Sequence, residues 1–122
     1  MTVKEALEAA DRLRANQFRQ EEKFSWLSRL DGQIYRELIV PRSEKKTEAF
    51  EPYTAAGLDR ELLAPYPYDE LYLHYLISQM DYYNAEISRY NNSSAMFNTA
   101  YQAYENAYNR EKSVFPKNKL IW

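Results

Sequence analysis

From Leu73 onward, large side chains recur at alternating spacings of three and four: Leu73, Leu76, Met80, Tyr83, Ile87, Tyr90, then Ser94, Phe97, Tyr101, Tyr104 and Tyr108. This spacing lays one stripe along an α-helix and does not suit a β-strand, whose side chains alternate with a period of two. Pro67 fits a first helical position, and Asp69 and Glu70 place negative charge where the helix dipole favours it. Arg110 and Lys112 suit a C-terminus, and Pro116 forbids continuation. One rod from Pro67 to Lys112 would be roughly 70 Å long, more than a compact domain of this size needs. Asn91, Asn92, Ser93 and Ser94 are weak helix formers that cap well, so Asn92 or Ser93 is a candidate second N-cap. The expectation is therefore a helical hairpin or kinked pair, with Leu73, Leu76, Met80, Tyr83, Ile87, Tyr90, Phe97, Tyr101 and Tyr104 as its core seam. A buried Phe97 implies that Phe97→Ala costs about 3–5 kcal/mol.

The N-terminal part reads as two further helices. Thr2 and Glu5 have capping-box spacing, and Val3, Ala6, Leu7, Ala10 and Leu13 follow on one face, which predicts a helix from about Val3 to Arg14. A second helix is predicted from about Arg19 to Ile39, its buried stripe formed by Phe24, Leu27, Leu30, Ile34 and Leu38, with Trp26 and Tyr35 beside it. Gly32 lies within it, as packing space or as a local break, and Pro41 ends it. Between Pro41 and Pro67 the periodicity disappears. Phe50, Tyr53, Leu62 and Leu63 argue against disorder there, so Ala49 to Thr54 is expected to be extended and Leu58 to Leu63 to form a short helical turn. Such a long connection is commonly functional. Phe50 and Tyr53 are thus candidate contacts with a partner or another subunit.

Residues 113–122 are expected to form an extended tail. Lys117 and Lys119 precede Leu120, Ile121 and Trp122, an apolar cluster that either folds back or docks elsewhere. These five residues join Phe50 and Tyr53 as the candidate subunit or partner interface.

The whole reads as an all-α small helical bundle, a single domain over residues 1–122. Only two glycines, Gly32 and Gly57, fit a helical chain and disfavour sandwiches and barrels. With no cysteine there is no disulfide, zinc-thiolate site or thiol nucleophile. His74 is the only histidine, and it lacks a nucleophile elbow or oxyanion loop to work with. Neither glycine belongs to a phosphate-cradling motif. Glu5 with Glu8, Glu21 with Glu22, and Asp69 with Glu70 read as solvated faces, and Asp81 and Glu86 as partly buried, Glu86 pairing with Arg89. No catalytic residue, cofactor or metal is expected. Asn84, Asn91 and Asn98 recur every seven residues and could set register between helices or subunits. A net charge of −2 supplies no basic field for nucleic acid, and no segment resembles a signal peptide or a membrane span.

Several stretches carry a likeness to known proteins. Glu21-Glu22-Lys23 with Trp26-Leu27 and Leu30-Asp31-Gly32-Gln33-Ile34-Tyr35-Arg36-Glu37 resemble the second helix of a group of small phage and prophage proteins. Pro65-Tyr66-Pro67-Tyr68-Asp69-Glu70-Leu71-Tyr72, Asp81-Tyr82-Tyr83-Asn84, Arg89-Tyr90-Asn91-Asn92 and Phe97-Asn98 with Ala100-Tyr101 extend it over most of the chain. The group resembles the head-tail connector, or head-completion adaptor, proteins of long-tailed bacteriophages. That resemblance implies a non-enzymatic helical adaptor, made in the host cytoplasm and located in the virion. It would assemble as a homo-oligomeric ring on the portal protein and extend the DNA channel toward a further connector or the tail. The competing readings are a helical interaction module, such as a coiled-coil dimer along the 73–108 seam, and a small DNA-binding regulator.

Overall fold

The computed structural model describes residues 1–42 and 49–111, and its architecture is all-α. Four α-helices follow one another: α1 (Val3–Leu13), α2 (Gln20–Ile34), α3 (Glu70–Tyr83) and α4 (Ile87–Glu111). Among the described residues there is no strand, only an isolated antiparallel bridge between Thr2 and Glu61. The predicted capping box forms, with Glu5 N–H donating to Thr2 Oγ1 at 3.1 Å and Thr2 N–H donating to Glu5 Oε1 at 2.9 Å. α1 buries Val3, Ala6, Leu7 and Ala10, as the spacing predicts, but Leu13 at its end stands in solvent.

α2 buries Phe24, Trp26, Leu27, Leu30 and Ile34, and Leu38 follows on the same side. Past Ile34 the chain widens into a π-helical turn, Tyr35–Ile39, and tightens into a 3₁₀ turn, Val40–Arg42. Pro41 falls in that last turn, where its missing N–H cannot extend the α-helical ladder. Gly32 is not a break: a Cβ there would make ordinary contact, 3.7 Å, with the Phe50 ring.

The break in the C-terminal half lies at Asn84–Glu86 rather than at Asn91–Ser94. Ala85 adopts a left-handed φ of 58°, and Glu86 N–H donates to Asp81 O at 2.9 Å, which closes α3 in the manner of a Schellman end. The serines do not cap. Ser93 Oγ lies 2.9 Å from both Arg89 O and Asp81 Oδ2 and shares its one proton between them, and Ser94 Oγ donates to Asn91 O at 3.3 Å, so both hydroxyls are used inside a continuous α4. The two helices form an antiparallel hairpin. Tyr68 meets Tyr104 (6.0 Å between ring centroids), Tyr75 meets Phe97 (5.1 Å) and Tyr82 meets Tyr90 (5.5 Å).

The turn re-phases the expected seam. Leu76, Met80 and Tyr104 are buried, while Leu73, Tyr90, Phe97 and Tyr101 are half-buried. Tyr83 (55 % exposed) and Ile87 (67 %) are outside the core altogether. Their places are taken by Leu71 and Tyr72, both fully buried on α3. Phe97 lies half-buried at the edge of the core, its ring against Tyr75 and Tyr101, so the expected cost of Phe97→Ala falls to about 1–3 kcal/mol, read as a shift in the thermal melt. Asn84, Asn91 and Asn98 are all exposed and set no register within the chain.

The segment from Ala49 to Asp69 is a strap over the helices. Its helical turn is Ala55–Gly57, not Leu58–Leu63. The latter stretch instead serves the start of α1: Val3 N–H donates to Arg60 O (3.0 Å), Lys4 N–H to Leu58 O (2.9 Å) and Leu62 N–H to Met1 O (2.9 Å). The first two satisfy helix-start donors that would otherwise be orphaned, and the third ties the strap to the chain just ahead of α1. Pro67 follows a cis Tyr66–Pro67 bond in the turn ahead of α3, and Asp69 is the N-cap.

Candidate interaction surface

Among the described residues, the buried Lys23, Asp31 and Asp81 find their partners within the chain. Asp31, on the same face of α2 as Leu27 and Ile34, is fully buried. Its Oδ2 accepts from Tyr53 Oη at 2.5 Å and Leu63 N at 3.1 Å, and its Oδ1 from Tyr72 Oη at 2.6 Å. Burial pushes the Asp31 carboxyl above its ordinary range, and the two phenol donors and the Leu63 N–H only partly offset that. Burial and the facing carboxylate raise both tyrosines as well, so both remain phenols. Tyr72 Oη also accepts from Ala64 N at 2.7 Å. One carboxylate thus ties the strap, α2 and α3 together.

A second knot lies at the hairpin turn. Arg14 donates to Asp81 Oδ1, and Ser93 Oγ donates to Asp81 Oδ2 at 2.9 Å, joining α1, α3 and α4. Asp81 is therefore buried, as expected in part, with Arg14 from α1 as its charged partner and Ser93 as its donor across the hairpin. Glu86 is exposed. Lys23, buried on α2, donates to Asp11 at 2.8 Å across the α1–α2 connection. Among the described residues no cluster of three or more His, Asp or Glu side chains could hold a metal ion, and no helix is long and apolar enough to cross a membrane.

What remains is surface. At the turn end of the hairpin, Tyr83 stacks flat on Trp26 (5.7 Å between centroids, 4° between planes). Phe18 meets the edge of Trp26 at 5.3 Å, and Tyr82 packs between Tyr83 and Tyr90. Tyr82, Tyr83 and Ile87 all keep more than half their surface in water. Stacking at this rim buries aromatic faces and leaves their edges and hydroxyls available, the amphipathic chemistry common at interfaces.

Two of the hollows along α2 lie on its Ser25 side. One, of about 510 Å³, is walled by Phe24, Pro52, Tyr53 and Ala55. The other, of about 340 Å³, is walled by Trp26 and Tyr83. Glu21, Ser25 and Arg29 border both.

Of the interface candidates, Tyr53 is a correction: its ring is buried and its hydroxyl is committed to Asp31, so it anchors the strap to its own domain. Phe50 is half-buried, packed against Tyr35 (6.2 Å) and Tyr53 (5.4 Å), and also belongs mainly to the domain. Lys117, Lys119, Leu120, Ile121 and Trp122 lie outside the described residues. The Asp31 knot was missed from sequence, although an aspartate four residues after Leu27 and three before Ile34 falls inside an apolar stripe, which is the signal for a buried carboxylate. Comparisons with protein-family models, with curated proteins and with solved structures found no match for this chain.

Proposed function

We propose that this chain is a structural adaptor of the phage head-tail interface, assembling as a ring on the portal protein and acting through its surfaces rather than through catalysis. The observation that carries the reading is the division of labour in the fold. The buried polar side chains at Asp31 and Asp81 are satisfied by neighbours in the same chain, while large aromatic and aliphatic groups at the hairpin turn stay in solvent. The stretches that resemble connector proteins support it. They contribute Asp31 and Tyr72 to the buried knot and Tyr82 and Tyr83 to the exposed rim, residues that shape and present a surface.

The coiled-coil alternative needs a free 73–108 seam, and Leu76, Met80 and Tyr104 are already used within the domain. A regulator would need a basic recognition helix. Over its 25 residues α4 carries only Arg89 and Arg110 as cations, against Glu105 and Glu111. A net charge of −2 suits a conduit past which DNA slides.

Quantitative mass spectrometry of intact particles from the phage or induced prophage encoding this chain tests the proposal. The expected result is a copy number close to that of the portal protein and far below that of the major capsid protein. Presence in infected cells but absence from purified particles would overturn it.

A further inference from the structure

α4 has two faces of different chemistry. Toward α3 it turns Ser93 and Tyr104, both buried, with Phe97 half-buried beside them. On the opposite side Ser88, Asn92, Ala95, Thr99, Gln102 and Asn106, spaced alternately four and three apart, form a straight stripe, and every one of them is exposed. The stripe runs about 27 Å along the helix axis. No charge interrupts it. Arg89 and Arg110 stand at its two ends, Glu105 is half-buried on its flank, and the exposed neighbours Asn91, Met96, Asn98 and Ala103 are uncharged as well.

The other outer helices are built differently. On α1 every exposed residue but Leu13 is charged: Lys4, Glu5, Glu8, Asp11 and Arg12. α2 exposes Glu21, Glu22 and Arg29. In a chain of which 28% is charged, a long helix face that meets water without a charge departs from the chain's own pattern. Nor does this face suit a protein contact. Covering Asn92, Gln102 and Asn106 takes water from their amides, at roughly 1–3 kcal/mol for each group left without a partner. The large apolar groups that reward such a contact, Tyr82, Tyr83 and Ile87, stand at the hairpin turn instead. The stripe is built to stay wet and to stay neutral.

Those two properties together describe a wall past which a polyanion moves. Lysine or arginine in the stripe would pair with phosphates and release their counterions, which holds a duplex in place, and a row of carboxylates would repel it. Amides and hydroxyls exchange hydrogen bonds with water and with phosphate at small net gain. Resting on the adaptor reading above, we infer that the Ser88 to Asn106 stripe of α4 faces the channel and is the surface along which duplex DNA slides. At about 3.4 Å per base pair, one stripe is level with about eight base pairs.

Lysines placed in the stripe test this in the phage or induced prophage that encodes the chain. Particles carrying Asn92→Lys, Thr99→Lys and Gln102→Lys together should contain the protein at wild-type copy number by mass spectrometry. They should deliver DNA to host cells roughly tenfold more slowly, followed as intracellular phage DNA by quantitative PCR. Thr99→Lys alone should slow delivery less and in the same direction, and it carries the test where the triple variant does not fold. Asn92→Gln with Thr99→Gln adds bulk without charge and should deliver at the wild-type rate. So should Glu8→Lys, which adds positive charge on the outer face of α1. Wild-type delivery by lysine variants that are present in the particles would overturn the inference and leave the adaptor reading standing. Equal slowing by the glutamine pair would also overturn it, because bulk is then the cause. Folded lysine variants missing from the particles would overturn it too, because the stripe is then a protein contact. A wild-type protein absent from the particles would reject the adaptor reading, and this inference with it.

Discussion

Asp31→Ala should destabilise the chain by about 3–5 kcal/mol and lower its thermal midpoint by more than about 10 °C, as followed by circular dichroism. The substitution leaves the buried Tyr53 and Tyr72 hydroxyls and the half-buried Leu63 N–H without their acceptor at once. Each orphaned donor costs about 1–3 kcal/mol, and a total of this size is a large part of the stability of a domain. Tyr72→Phe should cost more than Tyr53→Phe, because the Tyr72 hydroxyl is also the acceptor for Ala64 N–H. Asp31→Asn, which keeps shape and an acceptor, should cost less than alanine and separates the effect of pH. Burial raises the folded-state carboxyl above its ordinary value of 3.8, so between that value and the raised one the folded chain binds more protons than the unfolded chain. Stability contributed by this group is fully present below 3.8 and is lost as pH rises through the raised value. Urea melts should therefore show the wild type losing stability relative to Asp31→Asn as pH climbs through that window, then running parallel to it. A wild type that gains on the asparagine variant across the same range would show that the three donors outweigh burial.

Much of the fold is legible in the sequence because helical periodicity and local capping are local effects. Thr2 with Glu5 and the stripe from Phe24 to Leu38 depend on residues within a few turns of one another, whereas the expected stop at Pro41 is not where α2 ends: the α-helix gives way at Ile34 and Pro41 lies inside a 3₁₀ turn. The hairpin is legible as a hairpin, yet its turn is displaced from Ser93 to Ala85. Ser93 looks like a cap in isolation, but it is held in helix by Asp81, a neighbour across the hairpin that capping rules do not see. Unbroken phase across residues 83–87 also misleads, since a left-handed residue at Ala85 rotates α4 relative to α3 and moves Tyr83 and Ile87 outward. Tyr53 shows the converse error. An aromatic in a proline-bounded connection reads as a contact surface until its partner, Asp31, is placed 22 residues away. The surface itself is least legible, because Trp26 and Tyr83 meet only once α2 and α3 are packed.

The same non-local logic gives the second large effect. Arg14→Ala should cost about 3–5 kcal/mol, because buried Asp81 then loses its charged partner and keeps only Ser93 as a side-chain donor. The reverse change is gentler. Arg14 keeps about a quarter of its side chain in solvent and can turn toward water, so Asp81→Asn should cost markedly less than Arg14→Ala. A double-mutant cycle on the two positions measures the difference, and equal costs for the two single variants would contradict the assignment of Asp81 as the buried partner. The pair also has a positional consequence. It fastens the end of α1 to the hairpin turn, next to Tyr82 and Tyr83, so its loss should loosen the exposed rim before the Asp31 knot at the middle of the domain. Hydrogen exchange should show that order: amides of residues 81–90 lose protection in Arg14→Ala while those around Leu63 and Ala64 keep it. Stability lost through Asp31 is expected to be global; stability lost through Arg14 begins at the surface through which this protein is proposed to act.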